Sequence, residues 1–163
     1  MQHTEALTKL EKSEKFTSWK KSHKQAYLVH FFRMLDKLNE KLWQIGYYSP
    51  KTNLISVFVV NGGIMKSEDS EVFKEQKKLV LPLKLDDVSI NDDEAMKTAE
   101  KILENNYKNS TIFKTFMILQ KIEKIGQVWN ITFVTNEFKT INVKINSGNG
   151  ECITHGIVSL IQK

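Results

Sequence analysis

One cysteine, two prolines and one arginine in 163 residues close off several possibilities before anything present is read. A single Cys152 cannot form an internal disulfide, so cysteine usage says nothing of an oxidising compartment. As a nucleophile it would need a base and an orienting group, and only His155 lies close in sequence. It reads as a semi-buried strand residue. No apolar run approaches the roughly 18 residues that span a bilayer as a helix. The start, Met1 to Glu5, lacks a basic stretch followed by an apolar one, so no export signal is visible in it.

Arginine is scarce although the chain is basic, with net charge +5 and pI about 9.2. Of 24 basic side chains only Arg33 is arginine, leaving 23 lysines. Recognition of phosphates and bases favours the bidentate guanidinium, and Lys9, Lys12, Lys15, Lys20, Lys21 and Lys24 recur at spacings of a solvated helix face. Nucleic-acid binding is therefore the weakest partner reading. His3, His23, His30 and His155 are dispersed, with no metal-ligand spacing. Gly62-Gly63 and Gly148-Asn149-Gly150 follow strand patterns without opening a helix, so they are turn glycines and not phosphate loops. Asp86-Asp87 and Asp92-Asp93-Glu94 lack the alternating ligands and central glycine of a calcium loop. No catalytic residue, metal site or cofactor is read, and the expectation is a non-enzyme.

What is present is a repeat. At an offset of 129 − 43 = 86, Leu42-Trp43-Gln44-Ile45-Gly46-Tyr47 falls on Val128-Trp129-Asn130-Ile131-Thr132-Phe133. Without a gap, Ile55-Ser56-Val57-Phe58-Val59 then falls on Ile141-Asn142-Val143-Lys144-Ile145, and Gly62 on Gly148. In the second copy Asn91 and Glu94 make a capping box, and Ala95, Met96, Ala99, Ile102 and Leu103 form a helical stripe. Strands follow over Thr111–Ile125, Val128–Thr135 and Thr140–Asn146, then an apolar stretch from Cys152 to Ile161. The first copy repeats the plan: a helix over Glu5–Lys20, then strands over Gln25–Leu35, Leu42–Ser49 and Leu54–Val60. Leu28, Phe31, Phe32, Leu35 and Leu38 also fit a helix. Between the copies lie a polar stretch, Lys66 to Lys78, and Leu79 to Leu85, where Pro82 points to an edge strand or extended connector.

The expected fold class is α+β, two tandem helix-plus-antiparallel-sheet repeats, each a helix packed on a curled sheet of three or four strands. The boundaries are 1–65, a connector over 66–88 with an edge strand, and 89–163. Trp43 and Trp129 take equivalent inward places and read as core. With Ile55, Val57 and Val59 inward, Ser56, Phe58 and Val60 face out, where the second copy carries Asn142, Lys144 and Asn146. An aromatic face without cover marks packing or a partner, so Tyr47, Tyr48, Phe58 and Val60 are the candidate binding residues.

Gly126-Gln127-Val128-Trp129-Asn130-Ile131-Thr132-Phe133, then Ile141-Asn142-Val143-Lys144-Ile145 and Gly150-Glu151, resemble the PepSY domain. The pairing resembles the beta-lactamase-inhibitor-like two-repeat arrangement. The resemblance implies a protein- or peptide-binding module, including peptidase inhibitors or regulators, and an extracytoplasmic or membrane-attached setting if a leader has been removed. Otherwise the cytoplasm stays open. A small-molecule or lipid carrier using a helix–sheet cavity is the alternative reading, and self-association as a homodimer would mimic a partner site.

Overall fold

Ser13 divides the first expected helix in two. In the computed structural model, which describes residues 1–39, 41–71 and 79–159, α1 spans His3–Glu11 and α2 Glu14–Ser22. The Ser13 hydroxyl accepts the Phe16 N–H and so caps α2. α1 buries Ala6, Leu7 and Leu10, and α2 buries Phe16 and Trp19. α3, Asp92–Asn106, begins with the expected capping box: Asn91 Oδ1 accepts the Glu94 N–H and Glu94 Oε2 accepts the Asn91 N–H, both at 2.9 Å.

The strands are β1 Tyr27–Met34, β2 Trp43–Ser49, β3 Leu54–Asn61, β4 Gly63–Lys66, β5 Ser70–Glu71, β6 Ile112–Ile122, β7 Gly126–Thr135, β8 Lys139–Asn146 and β9 Cys152–Ser159. Gly62, at φ 66°, makes the tight turn into β4. No strand occupies 79–84; this connector is extended, its Leu83 N–H donating to Leu28 O at 2.9 Å, and leads into a 3₁₀ turn at Leu85–Asp87. Residues 72–78 of the polar stretch, and Leu160 and Ile161 of the last apolar stretch, lie outside the described residues.

The expectation of two tandem helix-plus-sheet repeats is corrected by the strand order. All strands join one antiparallel nine-stranded sheet, β4-β3-β2-β1-β6-β7-β8-β9, with β5 added on β3. The joint is β1 against β6, Phe31 opposite Leu119 and Arg33 opposite Met117. Two separate sheets would each leave the long first strand as an unpaired edge, and pairing the two edges removes both. It also fuses the cores. Trp43 and Trp129 are fully buried with ring centroids 6.4 Å apart. Each indole N–H donates to a carbonyl, Met1 O at 3.0 Å and Ile90 O at 2.8 Å. Arg33 of β1 reaches Asp92 at the start of α3 in a partly buried ion pair, its guanidinium 5.3 Å from the Trp43 ring centre.

The ungapped offset of 86 holds for β2 and β7 but slips by one in the next strand. Tyr47 faces Ser56, nine residues on, whereas Phe133 faces Ile141, eight residues on. The extra residue lies in the Pro50–Asn53 turn, where Asn53 takes φ 57°. Side chains alternate with period two, so a one-residue slip exchanges the faces. Ser56, Phe58 and Val60 are buried under the helices, and Ile55, Val57 and Val59 point outward.

Candidate functional site

The slip settles where the four sequence-chosen residues lie. Tyr47, Phe58 and Val60 are core: Phe58 and Val60 are at most 1% exposed, and Phe58 meets Trp19 at 5.0 Å and Phe16 at 5.3 Å between ring centres. Burial pushes the Tyr47 hydroxyl well above its ordinary range, with Glu11 adding to the effect. α1 and α2 cover these residues. Tyr48 alone faces out, its ring 5.5 Å from Tyr27 and its hydroxyl 2.7 Å from Asn53 Oδ1.

The outer face still differs between the halves. Asn130, Thr132, Asn142 and Lys144 form a polar ladder: Asn142 Nδ2 donates to Asn130 Oδ1 at 2.6 Å and Lys144 Nζ to Asn142 Oδ1 at 2.6 Å. In the first half the outward positions are Ile55, Val57 and Val59, all half-buried. Near the sheet centre, Gly46 leaves room for the His30 ring, since a Cβ there would stand 2.1 Å from His30 Cε1. Burial lowers His30 to about 4.

The largest group of exposed apolar side chains lies elsewhere, at the far edge. Among the described residues nine large apolar side chains are exposed, and Phe113, Phe138, Ile153, Ile157 and Val158 are five of them. Ile157 and Val158 sit on β9, opposite Ile141 and Thr140 at the start of β8. Phe138 is in the turn before β8, and Phe113 is in β6 where that strand meets the end of β7. Register thus gathers four of the five at one corner of the sheet, with Ile153 further along the same edge. A groove of about 280 Å³, whose lining includes Thr135, Glu137, Lys139, Ile141 and Ile157, opens at this corner.

The two edges of the sheet are built differently. β4 is four residues long, its Ile64 carbonyl is taken by Lys15 Nζ at 3.0 Å, and it ends in Lys66, paired with Asp69. Short length and lysines are the usual protections of an edge. β9 has eight residues, no lysine, no proline and no carboxylate, and pairs only with β8 among the described residues. A side-chain tie to the helices is His155 Nδ1, 2.7 Å from Tyr107 Oη of the residue capping α3. Burial raises the Cys152 thiol above its usual range, which keeps it protonated. The sequence signal for this site was available: Cys152-Ile-Thr-His-Gly-Ile-Val-Ser159 carries four β-branched residues and no Lys, Arg, Asp or Glu. That it forms an edge is a property of strand order, which the residues do not state.

Among the described residues no cluster of three or more His, Cys, Asp or Glu is placed to hold a metal, and no helix is long and apolar enough to cross a membrane. No family model and no curated protein matches this chain. Among solved structures it is similar to a "putative lipoprotein" from Clostridium difficile 630, at a TM-score of 0.56 and 16% identity over 89% of this chain and 91% of that one. At such identity the likeness speaks to the fold.

Proposed function

We propose that the chain is a non-enzymatic protein- or peptide-binding module that takes an extended segment of its partner onto β9 as a further strand. The observation carrying this reading is the contrast between the two edges: β4 is short and guarded, and β9 is long, uncharged and lined by exposed Ile153, Ile157 and Val158. Main-chain hydrogen bonds supply the affinity of strand addition and alternate side chains its selectivity. Phe113 and Phe138 stand at the corner as apolar anchors for the incoming strand.

Two other readings meet physical obstacles. A carrier needs an apolar cavity between helices and sheet, and that space is filled by fully buried Trp43, Trp129, Phe31, Phe58 and Leu10. A nucleic-acid reader would use its arginine, and Arg33 is engaged internally with Asp92 and Trp43. Restraint of a peptidase rests on the resemblance to the PepSY domain. Action outside the cytoplasm or at a membrane rests on that resemblance and on the lipoprotein likeness.

Selection of strand-forming peptides from a displayed library on the intact chain tests the reading. Selected peptides should alternate apolar residues, and Ile157→Lys, which places a charge on the edge, should weaken them by about tenfold or more. Peptides that bind Ile157→Lys as tightly as the parent would overturn it.

A further inference from the structure

A second site stands apart from the β9 edge, at the end of α2. Lys20, in the last turn of α2, folds onto the segment that follows the helix. Lys20 Nζ donates to the carbonyls of His23 at 3.5 Å and Lys24 at 3.4 Å and also to that of Ala26. The other lysines of this region are consequently left to the solvent side. Lys21, Lys24 and Lys51, all exposed, line an open cleft of about 520 Å³, with Ala26 and Pro50 among its apolar walls. None of the three forms a salt bridge among the described residues.

The inner wall of the cleft carries a polar group with nothing to bond. Ser49 is 6% exposed, ends β2 on the helix side, and lines the cleft, and its hydroxyl has no hydrogen-bond partner among the described residues. A buried hydroxyl left unsatisfied is costly and uncommon. Its neighbours are otherwise engaged: Ser22 Oγ donates to Trp19 O at 2.9 Å, and His23 stacks on Trp19 at 4.5 Å with Nδ1 2.8 Å from Trp19 O. Asp69 is an acid whose carboxyl feels the charge of His23. Burial pushes its carboxyl up, but hydrogen bonds from Lys66 and Ser56, with the charges of Lys66 and His23, outweigh that and hold it below the usual range. Asp69 is thus tied to Lys66 and Ser56, and among the described residues it forms no salt bridge with a cleft lysine.

Three ammonium groups around a cleft with a hydroxyl donor in its wall fit a compact, multiply charged oxyanion better than a carboxylate or an apolar ligand. We propose that this cleft binds a phosphate group, free or carried on a small molecule, with Lys21, Lys24 and Lys51 supplying the charge and Ser49 a neutral hydrogen bond. A flat lysine surface would attract anions without saturating, whereas a built cleft holds one.

The test is an amide NMR titration of the full chain with inorganic phosphate and, separately, glycerol phosphate, with ionic strength held constant by chloride. Saturable shifts confined to residues 21–26 and 49–52 are expected. Tighter binding of glycerol phosphate would point to a small-molecule ester, and equal binding to free phosphate. Each of Lys21→Gln, Lys24→Gln and Lys51→Gln should weaken binding about two- to fivefold, the range for one exposed charge. Ser49→Ala should weaken binding while leaving the melting temperature unchanged or raised, because it removes an unsatisfied group. Shifts that rise linearly without saturation, or a triple Lys→Gln variant that binds as the parent does, would overturn the proposal; unchanged binding by Ser49→Ala would overturn the role of its hydroxyl.

Discussion

Replacing Phe58 and Val57 one at a time tests the one-residue slip on which the assignment of faces depends. Phe58 is fully buried, with Trp19, Phe16 and Tyr47 at 5.0, 5.3 and 6.2 Å between ring centres. Truncation removes the aromatic transfer free energy and leaves a cavity that three rings cannot all collapse into, so Phe58→Ala should cost about 3–5 kcal/mol. In a chain of this length that lowers the melting temperature by on the order of 10 °C. Val57 is half-buried on the outer face, opposite Gly46. Val57→Lys there should cost about 1 kcal/mol, mostly strand propensity. Urea and thermal unfolding followed by circular dichroism would give both numbers. The ungapped register makes the opposite forecast, with Val57 inward and Phe58 free to change. A Phe58→Ala cost below that of Val57→Lys would refute the slip and return Phe58 and Val60 to the surface.

Two further outcomes follow from the buried charges. Arg33→Ala strands the Asp92 carboxylate, 3% exposed, and should cost about 3–5 kcal/mol, whereas Arg33→Met with Asp92→Asn together should cost far less than the sum of the two singles; additive losses in a double-mutant cycle would contradict a coupled pair. His3, edge-on to Phe31 and Trp129 at 5.3 Å, and His30 are each lowered by burial from 6.5 to about 4. The folded state therefore disfavours the proton that the unfolded chain accepts. Stability is complete above about pH 6.5 and falls as the pH drops towards 4, by up to about 3 kcal/mol for each ring, and His3→Phe should flatten that slope. An NMR titration placing His3 near 6.5 would contradict this. Asp92, raised by burial against the pull of Arg33, works in the opposite sense and offsets a part of the loss.

The elements legible in the sequence were those whose signals are local. Alternation around Trp129 and Ile141–Ile145 gave β7 and β8, and Asn91 with Glu94 marked the start of α3. The break at Ser13 was hidden because Leu7, Leu10, Phe16 and Trp19 continue an apolar pattern across it, although a serine three residues before a buried aromatic is a capping signal. Asn61-Gly62 is a hairpin signal, and β4 follows it where the expected strands of the first copy end at Val60. The pairing of β1 with β6 could not be read, since alternation fixes which face a residue takes and not which strand lies beside it. The error at Phe58 has the same origin. Turn length sets register, and Pro50–Asn53 is one residue longer than the gapless comparison assumed. The β9 edge was legible as apolar sequence but not as a site, because its exposure follows from being last in the sheet.

Amide hydrogen exchange across residues 152–159, with and without a selected strand-forming peptide, tests the central claim most directly. Strand addition predicts that β9 amides facing away from β8 exchange fast in the free chain and slow markedly when the peptide is bound, with protection of the β4 edge unchanged. Binding that leaves β9 exchange as it was, and protects the outer face around Ile55, Val57 and Val59 instead, would contradict it.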